Sequence, residues 1–379
     1  MVEKKDHQRM YYLDWLRIFG IVTIVFFHIF CIFSKAPWII NNNEPSIPIH
    51  YLLGFLVLWI MPLFFTISGY AMYYSLTYKG QKGFIKDKFK RLIIPYIFGV
   101  FFIAPIVVYI ERIFNGDYSG TYLEFYSNSY YQGLYGFGGN FAWMGMHLWF
   151  LFFLFIFIVI GYYPAIYFLK ERKKPVFDNI TKYLEKRGMI FLMVIPIILI
   201  FYLSRLEPVL LGREIGRWSI MVYSPFFFYG FLFAYDERYG NAIENNWKIA
   251  VILAILTTST YFCVIFSNQF LSDYYNPVIL IPAIVSSFSM LIALIGVFRK
   301  YFNKKYHNMK KLNEAVLPVY ILHIPVIVIV GYFIVRMELL LIFKLFLIII
   351  TSFIMISALY LLIRKFNIFR ILFGMKTQK

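Results

Sequence analysis

An all-α, polytopic bundle of membrane helices is the fold class that the sequence predicts, and three observations predict it. Apolar residues make up 61% of the 379, with 22% aromatic, and the mean hydropathy is +0.70. A soluble domain is nearer about 45–50% apolar. Second, at about 20 residues per crossing, ten apolar runs are long enough to span, near 13–33, 51–78, 92–113, 147–169, 189–206, 219–235, 248–267, 277–298, 315–335 and 339–363. Third, with the N-terminus in the cytoplasm, 30 of the 37 Lys and Arg fall on inner segments and six on outer ones, Lys344 lying within the last run. Adding or removing one span scrambles that division, so the positive-inside rule favours ten helices with both termini cytoplasmic.

The formal charge of +18 is a charge of loops. It sits in short clusters between apolar runs, which points to anionic lipid headgroups as partners rather than nucleic acid. Neither a cleavable signal nor a water-soluble domain is visible, and residues 1–379 are expected to form a single membrane domain. With 16 residues after the tenth run, no fused extracytoplasmic domain is expected. Cys31 and Cys263 have no metal-ligand spacing and are not expected to pair. The six His are scattered, so no metal is predicted. Oligomeric state is not readable.

The first run, "LDWLRIFGIVTIVFFHIF", carries Asp14, Arg17 and His28, and ionisable groups at that depth are costly enough to suggest function. Arg17 and His28 are eleven positions apart, almost three turns. They share a face with a separation of about 16 Å along the axis, and Asp14 can pair with Arg17. A fixed cation near the inner surface can hold phosphate, and an imidazole three turns deeper can accept a proton. The structural alternatives are a snorkelling anchor for Arg17 and a bundle-bonded histidine for His28.

In the second run, Ser68-Gly69 favours close helix packing. The inner stretch "KGQKGFIKDKFKRLIIP" alternates basic residues with Phe84, Ile85 and Phe89 and is expected along the membrane surface. The outer loop from Asn115 to Met146 lacks Lys and Arg and is crowded with Tyr, Gly and Asn. It reads either as a carbohydrate surface or as an ordered loop with interfacial aromatics. His147 and Trp149 open the fourth span, within reach of an outer acceptor or as an interfacial pair. His323 lies deep in the ninth span, where it needs a cavity. Glu111, Glu207 and Glu214 sit at outer ends, and no spacing selects among them. Outer Lys35, Arg205, Arg213 and Arg217 suit an anionic acceptor or lipid headgroups.

"YYLDWLRIFGIVTIVFFH" resembles the opening of the acyltransferase-3 family of bacterial membrane O-acyltransferases, in which Arg-x10-His marks the first helix. Further resemblances follow in order along nearly the whole chain: "PLFFTISGY" (62–70), "KFKRLIIPY" (88–96), "HLWFLFFLF" (147–155), "YSPFFFYGFLFA" (223–234) and "VYILHIPVI" (319–327). The set is nearest the family's glucan-biosynthesis branch, whose members succinylate periplasmic glucans. The resemblance implies transfer of an acetyl, succinyl or similar short acyl group from cytoplasmic acyl-CoA, in a multi-pass protein of the bacterial inner membrane, to a hydroxyl of an extracytoplasmic glycan. His28 is then the general base, and Arg17 orders the site or helps hold the donor.

The family's basic pair before the third helix is usually Arg-x-x-Arg, whereas here it is Lys88-x-x-Arg91, which keeps charge but loses one bidentate fork. Lys88, Lys90 and Arg91 are expected to bind the CoA phosphates. The neutral pantetheine arm, nearly three turns long, then threads between helices past Ser68 and His323. His147, Trp149 and Glu111 are expected on the acceptor. The alternative reading is a polysaccharide or lipid-linked glycan exporter, since ten spans with buried charges suit that class too. It predicts flux without donor turnover and gives no reason for phosphate-binding charge beside a deeper proton acceptor. No selectivity-filter stretch or charge ring supports a channel.

Overall fold

The computed structural model describes residues 10–170, 175–206, 214–267 and 277–378; Glu207 and Arg213 lie outside them. Among the described residues nearly all regular structure is helical. The helices are α1 (Tyr11–Cys31), α2 (Ile47–Lys79), α3 (Phe84–Asn115), α4 (Trp149–Lys170), α5 (Pro175–Glu185), α6 (Val194–Ser204), α7 (Ile220–Tyr235), α8 (Glu237–Ser267), α9 (Pro277–Tyr301), α10 (Met309–Ile334), α11 (Leu341–Ile363) and α12 (Asn367–Leu372).

Eight of them (α1, α2, α3, α4, α8, α9, α10 and α11) are long and apolar enough to cross a membrane. The expected spans at 189–206 and 219–235 form shorter apolar helices, Met189–Ser204 and Ile220–Tyr235. α7 has 16 residues, about 24 Å at 1.5 Å per residue, against a hydrocarbon core of about 30 Å. It is bounded before by a two-residue hairpin, β1 (Glu214–Ile215) with β2 (Trp218–Ser219), and after by the extended residue Asp236. The hairpin turn needs positive φ at both central residues, and Gly216 and Arg217 adopt 60° and 83°.

α3 opens at Phe84, earlier than its apolar run, and absorbs the basic stretch into the helix. It contains two wide turns, Phe89–Ile93 and Gly99–Ile103. Each is separated by a single residue from a proline, Pro95 and Pro105, whose rings clash with the carbonyl four residues back in a regular helix. The i→i−5 bonds Ile94→Phe89 and Ala104→Gly99 relieve the clash by widening the turn.

The chain divides into two compact units, the first comprising described residues up to Gly20, Leu58–Tyr74 and Ala165–Asn313, and the second the remainder. In the first unit α8 and α9 run antiparallel. Gly240 abuts the Arg299 guanidinium, Gly296 abuts Trp247, and the Thr258 and Ser286 hydroxyls bond at 2.6 Å. α2 crosses α7 at Gly69 and Gly230: a Cβ on Gly69 would lie 2.0 Å from the Phe227 carbonyl, and one on Gly230 1.9 Å from that of Thr66. Beside this crossing, Pro62 removes the N–H that Leu58 C=O needs, and Trp218 donates its indole N–H there at 2.9 Å.

The core of the second unit gathers Val25 and Ile29 of α1 with Ile32 just beyond it, Val107 and Ile110 of α3, Ile324, Ile327 and Val330 of α10 with Val335 just beyond it, and Ile348 and Ile356 of α11. A satellite cluster around Phe125 and Tyr130 packs the 116–145 loop onto Ala104 and Val108. The Tyr130 hydroxyl donates to the Val100 carbonyl at 2.6 Å.

Candidate functional site

Three histidines distant in sequence meet in the second unit. The rings of His28 and His323 lie 4.9 Å apart by centroid, and those of His147 and His323 5.0 Å. His323 is wholly buried and His147 nearly so, whereas His28 keeps partial exposure.

Prolines explain part of the cluster. Pro325 lacks an N–H, so the Ile321 carbonyl one turn earlier has no helical donor. His147 Nε2 lies 3.2 Å from that carbonyl and donates to it. The Tyr320 hydroxyl in turn donates to the His147 carbonyl, so the start of α4 and the 320–321 turn of α10 brace each other. His147 Nδ1 is buried with no partner.

The remaining bonds fix proton positions, because a carbonyl oxygen only accepts. His323 Nδ1 is 2.6 Å from the Tyr320 carbonyl and therefore carries the proton, leaving the Nε2 of a neutral ring as an acceptor. That Nε2 faces His28 Nδ1 at 3.1 Å, and His28 Nδ1 is also 3.0 Å from the Ile24 carbonyl. The N–H of His28 is thus on Nδ1, shared between two acceptors, and the lone pair is on Nε2. Trp38 stacks on the same imidazole at 5.9 Å and 29°. Its loop is held by the Asn41 side chain, which accepts from the Trp38 N–H at 2.9 Å, and by Lys344 of α11. Lys344 donates to Asn42 at 3.1 Å and to the Val335 carbonyl at 2.9 Å.

Glu111, near the end of α3, accepts from the Tyr135 hydroxyl at 2.9 Å through Oε1, and its Oε2 is buried without a partner. Burial, and then the Glu111 charge, push the Tyr135 phenol up from its ordinary value. The neighbouring Arg112 holds the loop through Asn140 at 2.8 Å and the Gly139 carbonyl at 3.1 Å. Tyr131 and Phe137 stand exposed on this loop. Trp149 is buried, 6.4 Å from the Phe153 ring.

Lys88 lies over the Phe84 ring at 5.3 Å, Arg91 pairs with Asp87 at 3.5 Å, and Lys90 is exposed. Pro95 leaves the Arg91 carbonyl without its helical donor, and Gly374 fits against it: a Cβ there would be 2.9 Å away. Arg370 of α12, almost fully buried, anchors this C-terminal segment to Glu314 and to the Lys376 carbonyl.

Arg17 belongs to the first unit, where it donates to the buried Asp14 carboxylate at 3.1 Å. The Ser68 hydroxyl bonds back to its own helix at Phe64 C=O, 2.8 Å, while Gly69 makes the close crossing. Within the second unit, His28, His147 and His323 come together, whereas Glu111 joins the loop and Lys88, Lys90 and Arg91 lie along the start of α3; Arg17 and Ser68 belong to the first unit. Tyr320 and Trp38 escape a sequence reading. For Tyr320 the usable signal is Pro325, which frees a carbonyl beside it. Cys31 is buried and Cys263 exposed, both as free thiols. Among the described residues no group of three or more His, Cys, Asp or Glu is arranged to hold a metal.

Comparison with known proteins gives a family. The profile described as an acyltransferase domain (the acyltransferase-3 type) matches residues 10–365. "Glucans biosynthesis protein C" of Escherichia coli (strain SMS-3-5 / SECEC) is 26% identical over 264 residues, covering 66% of this chain and 65% of that protein. The protein of the same name from Shigella dysenteriae serotype 1 (strain Sd197) aligns with the same identity and coverage. The chain thus spans somewhat under two thirds of the length of these relatives. No solved structure matches. With nearly the whole chain covered by the family profile, the protein belongs to the acyltransferase-3 family.

Proposed function

We propose that the protein transfers a short acyl group, acetyl or succinyl, from cytoplasmic acyl-CoA to a hydroxyl of an extracytoplasmic glycan, with His28 as general base. The observation that carries this reading is the state of the His28 ring: its one N–H is committed on Nδ1, while Nε2 holds the lone pair on a partly exposed imidazole. Such a group can take the hydroxyl proton as the oxygen attacks the thioester carbon. The C–S bond then breaks, and the proton returns to the thiolate to give free CoA.

The topology proposed with this reaction is a single acyltransferase domain of ten crossings in the bacterial inner membrane, with both termini cytoplasmic. The two short apolar helices are the remaining crossings. Lys88, Lys90 and Arg91 then meet the CoA phosphates on the cytoplasmic side, and Arg17 orders or holds the donor. Exposed Tyr131 and Phe137 on the 116–145 loop suit stacking on a sugar, and the name shared by the relatives supports a glucan as the acceptor class.

The test is CoA release from acetyl-CoA and succinyl-CoA by purified protein in detergent, with a glucan acceptor and with labelled acyl groups followed into the glycan. Turnover that needs both acceptor and donor supports the reading. Glycan movement across proteoliposomes without donor consumption would replace it with export.

A further inference from the structure

We propose that His323 is a positioning residue that holds His28 in the tautomer with its lone pair on Nε2; this rests on the reading of His28 as the base. The chain of bonds runs in one direction. The Tyr320 carbonyl takes the Nδ1 proton of His323, which forces an acceptor at His323 Nε2, which in turn takes the Nδ1–H of His28. Each link leaves one choice, because the chain begins at an oxygen that cannot donate; the Ile24 carbonyl, 3.0 Å from the same His28 Nδ1, is a second acceptor, and His323 adds to its hold on that proton.

The origin of the chain is itself fixed. Tyr320 and Ile321 are tied to His147, through the Tyr320 hydroxyl and the His147 Nε2–H, so the carbonyl that sets the tautomers is held on two sides. All of these groups are in the compact second unit, and His323 is wholly buried. Burial keeps it from reaching an acceptor or donor molecule while leaving it in contact with His28.

The consequence for the transfer step is specific. When His28 Nε2 takes the proton from the acceptor hydroxyl, the ring becomes an imidazolium whose Nδ1–H still points at the lone pair of His323. That bond is then charge-assisted, hence shorter and stronger than in the resting state. His323 therefore contributes both the resting tautomer and part of the stabilisation of the charged ring, without touching substrate.

The experiment labels histidine with 15N in purified full-length protein and compares wild type with His323→Leu, which removes the acceptor, and His323→Gln, which keeps one near Nε2. His28→Ala identifies the His28 signals. In wild type, His28 shows a protonated Nδ1 and a bare Nε2. In His323→Leu, a population with the proton on Nε2 appears, and kcat falls about tenfold to a hundredfold with the KM for donor unchanged. His323→Gln restores the single tautomer and most of kcat. A wild-type His28 protonated on Nε2, or a spectrum unaltered in His323→Leu, overturns the proposal. Turnover that survives His28→Ala would overturn the base reading and leave the tautomer result untouched, so the two failures are separable. Matching elution and melting of Leu and Gln variants excludes a folding defect, and a Gln variant no better than Leu also counts against the proposal.

Discussion

His147 donates its Nε2–H to the Ile321 carbonyl at 3.2 Å, the carbonyl that Pro325 deprives of its helical partner. A buried acceptor left without a donor costs about 1–3 kcal/mol. His147→Phe should therefore destabilise the protein by about that amount, measured by reversible denaturation in mixed micelles. Pro325→Ala restores an N–H, so the cost of His147→Phe should shrink in that background. Equal costs in both backgrounds would show that the bond carries no stability.

The same pattern stands independently in the first unit. Trp218→Phe removes the donor to Leu58 C=O while keeping an aromatic ring. A loss of about 1–3 kcal/mol is expected, again reduced in a Pro62→Ala background. The readout is the same unfolding equilibrium, with additivity of the two changes as the contrary result.

The Gly69–Gly230 crossing leaves no room for a methyl group. Gly230→Ala brings a Cβ within 1.9 Å of the Thr66 carbonyl, and the helices must separate. Overpacking of this kind costs about 1–3 kcal/mol or more, so Gly230→Ala should lower the melting temperature, while Gly80→Ala, with open space around it, is governed only by its positive φ.

Acid should loosen α5 from α8. Hydrogen bonds from Lys182 and then from Arg238 hold the Asp178 carboxyl below its ordinary value. A depressed carboxyl contributes stability that is present above its unfolded value of about 4 and is lost as pH falls through the lower folded value. Hydrogen exchange of 178–185 should rise over that acid window in wild type, and Asp178→Asn should show high exchange without the pH step. A wild-type profile flat through acid would contradict the assignment.

Much of this was legible in sequence. Long apolar runs mark eight of the helices, since backbone groups in hydrocarbon must bond internally. The runs at 189–206 and 219–235 look alike by composition, yet their helices are shorter: a 3₁₀ turn takes Met189–Met193 at the start of the first, and the second run is itself short and is bounded by the caps Ser219 and Asp236. Arg17 and His28 are visible as charges in apolar surroundings. The meeting of residues 28, 147 and 323 is not, because it depends on how α1, α4 and α10 pack and no local pattern encodes that. Pro325 was the available clue, as Pro62 was for Trp218: each frees a buried carbonyl that something remote must satisfy. Ser68-Gly69 shows the limit of a motif, since the glycine makes the contact and the hydroxyl serves its own helix.

The central claim is that His28 is the base of an acyl transfer. Its most direct test is the rate of labelled acyl incorporation into glycan by wild-type and His28→Ala protein at saturating acyl-CoA. Loss of a positioned general base predicts a fall of about 10²–10⁴-fold, with binding of CoA retained. Incorporation by His28→Ala at the wild-type rate would contradict the account.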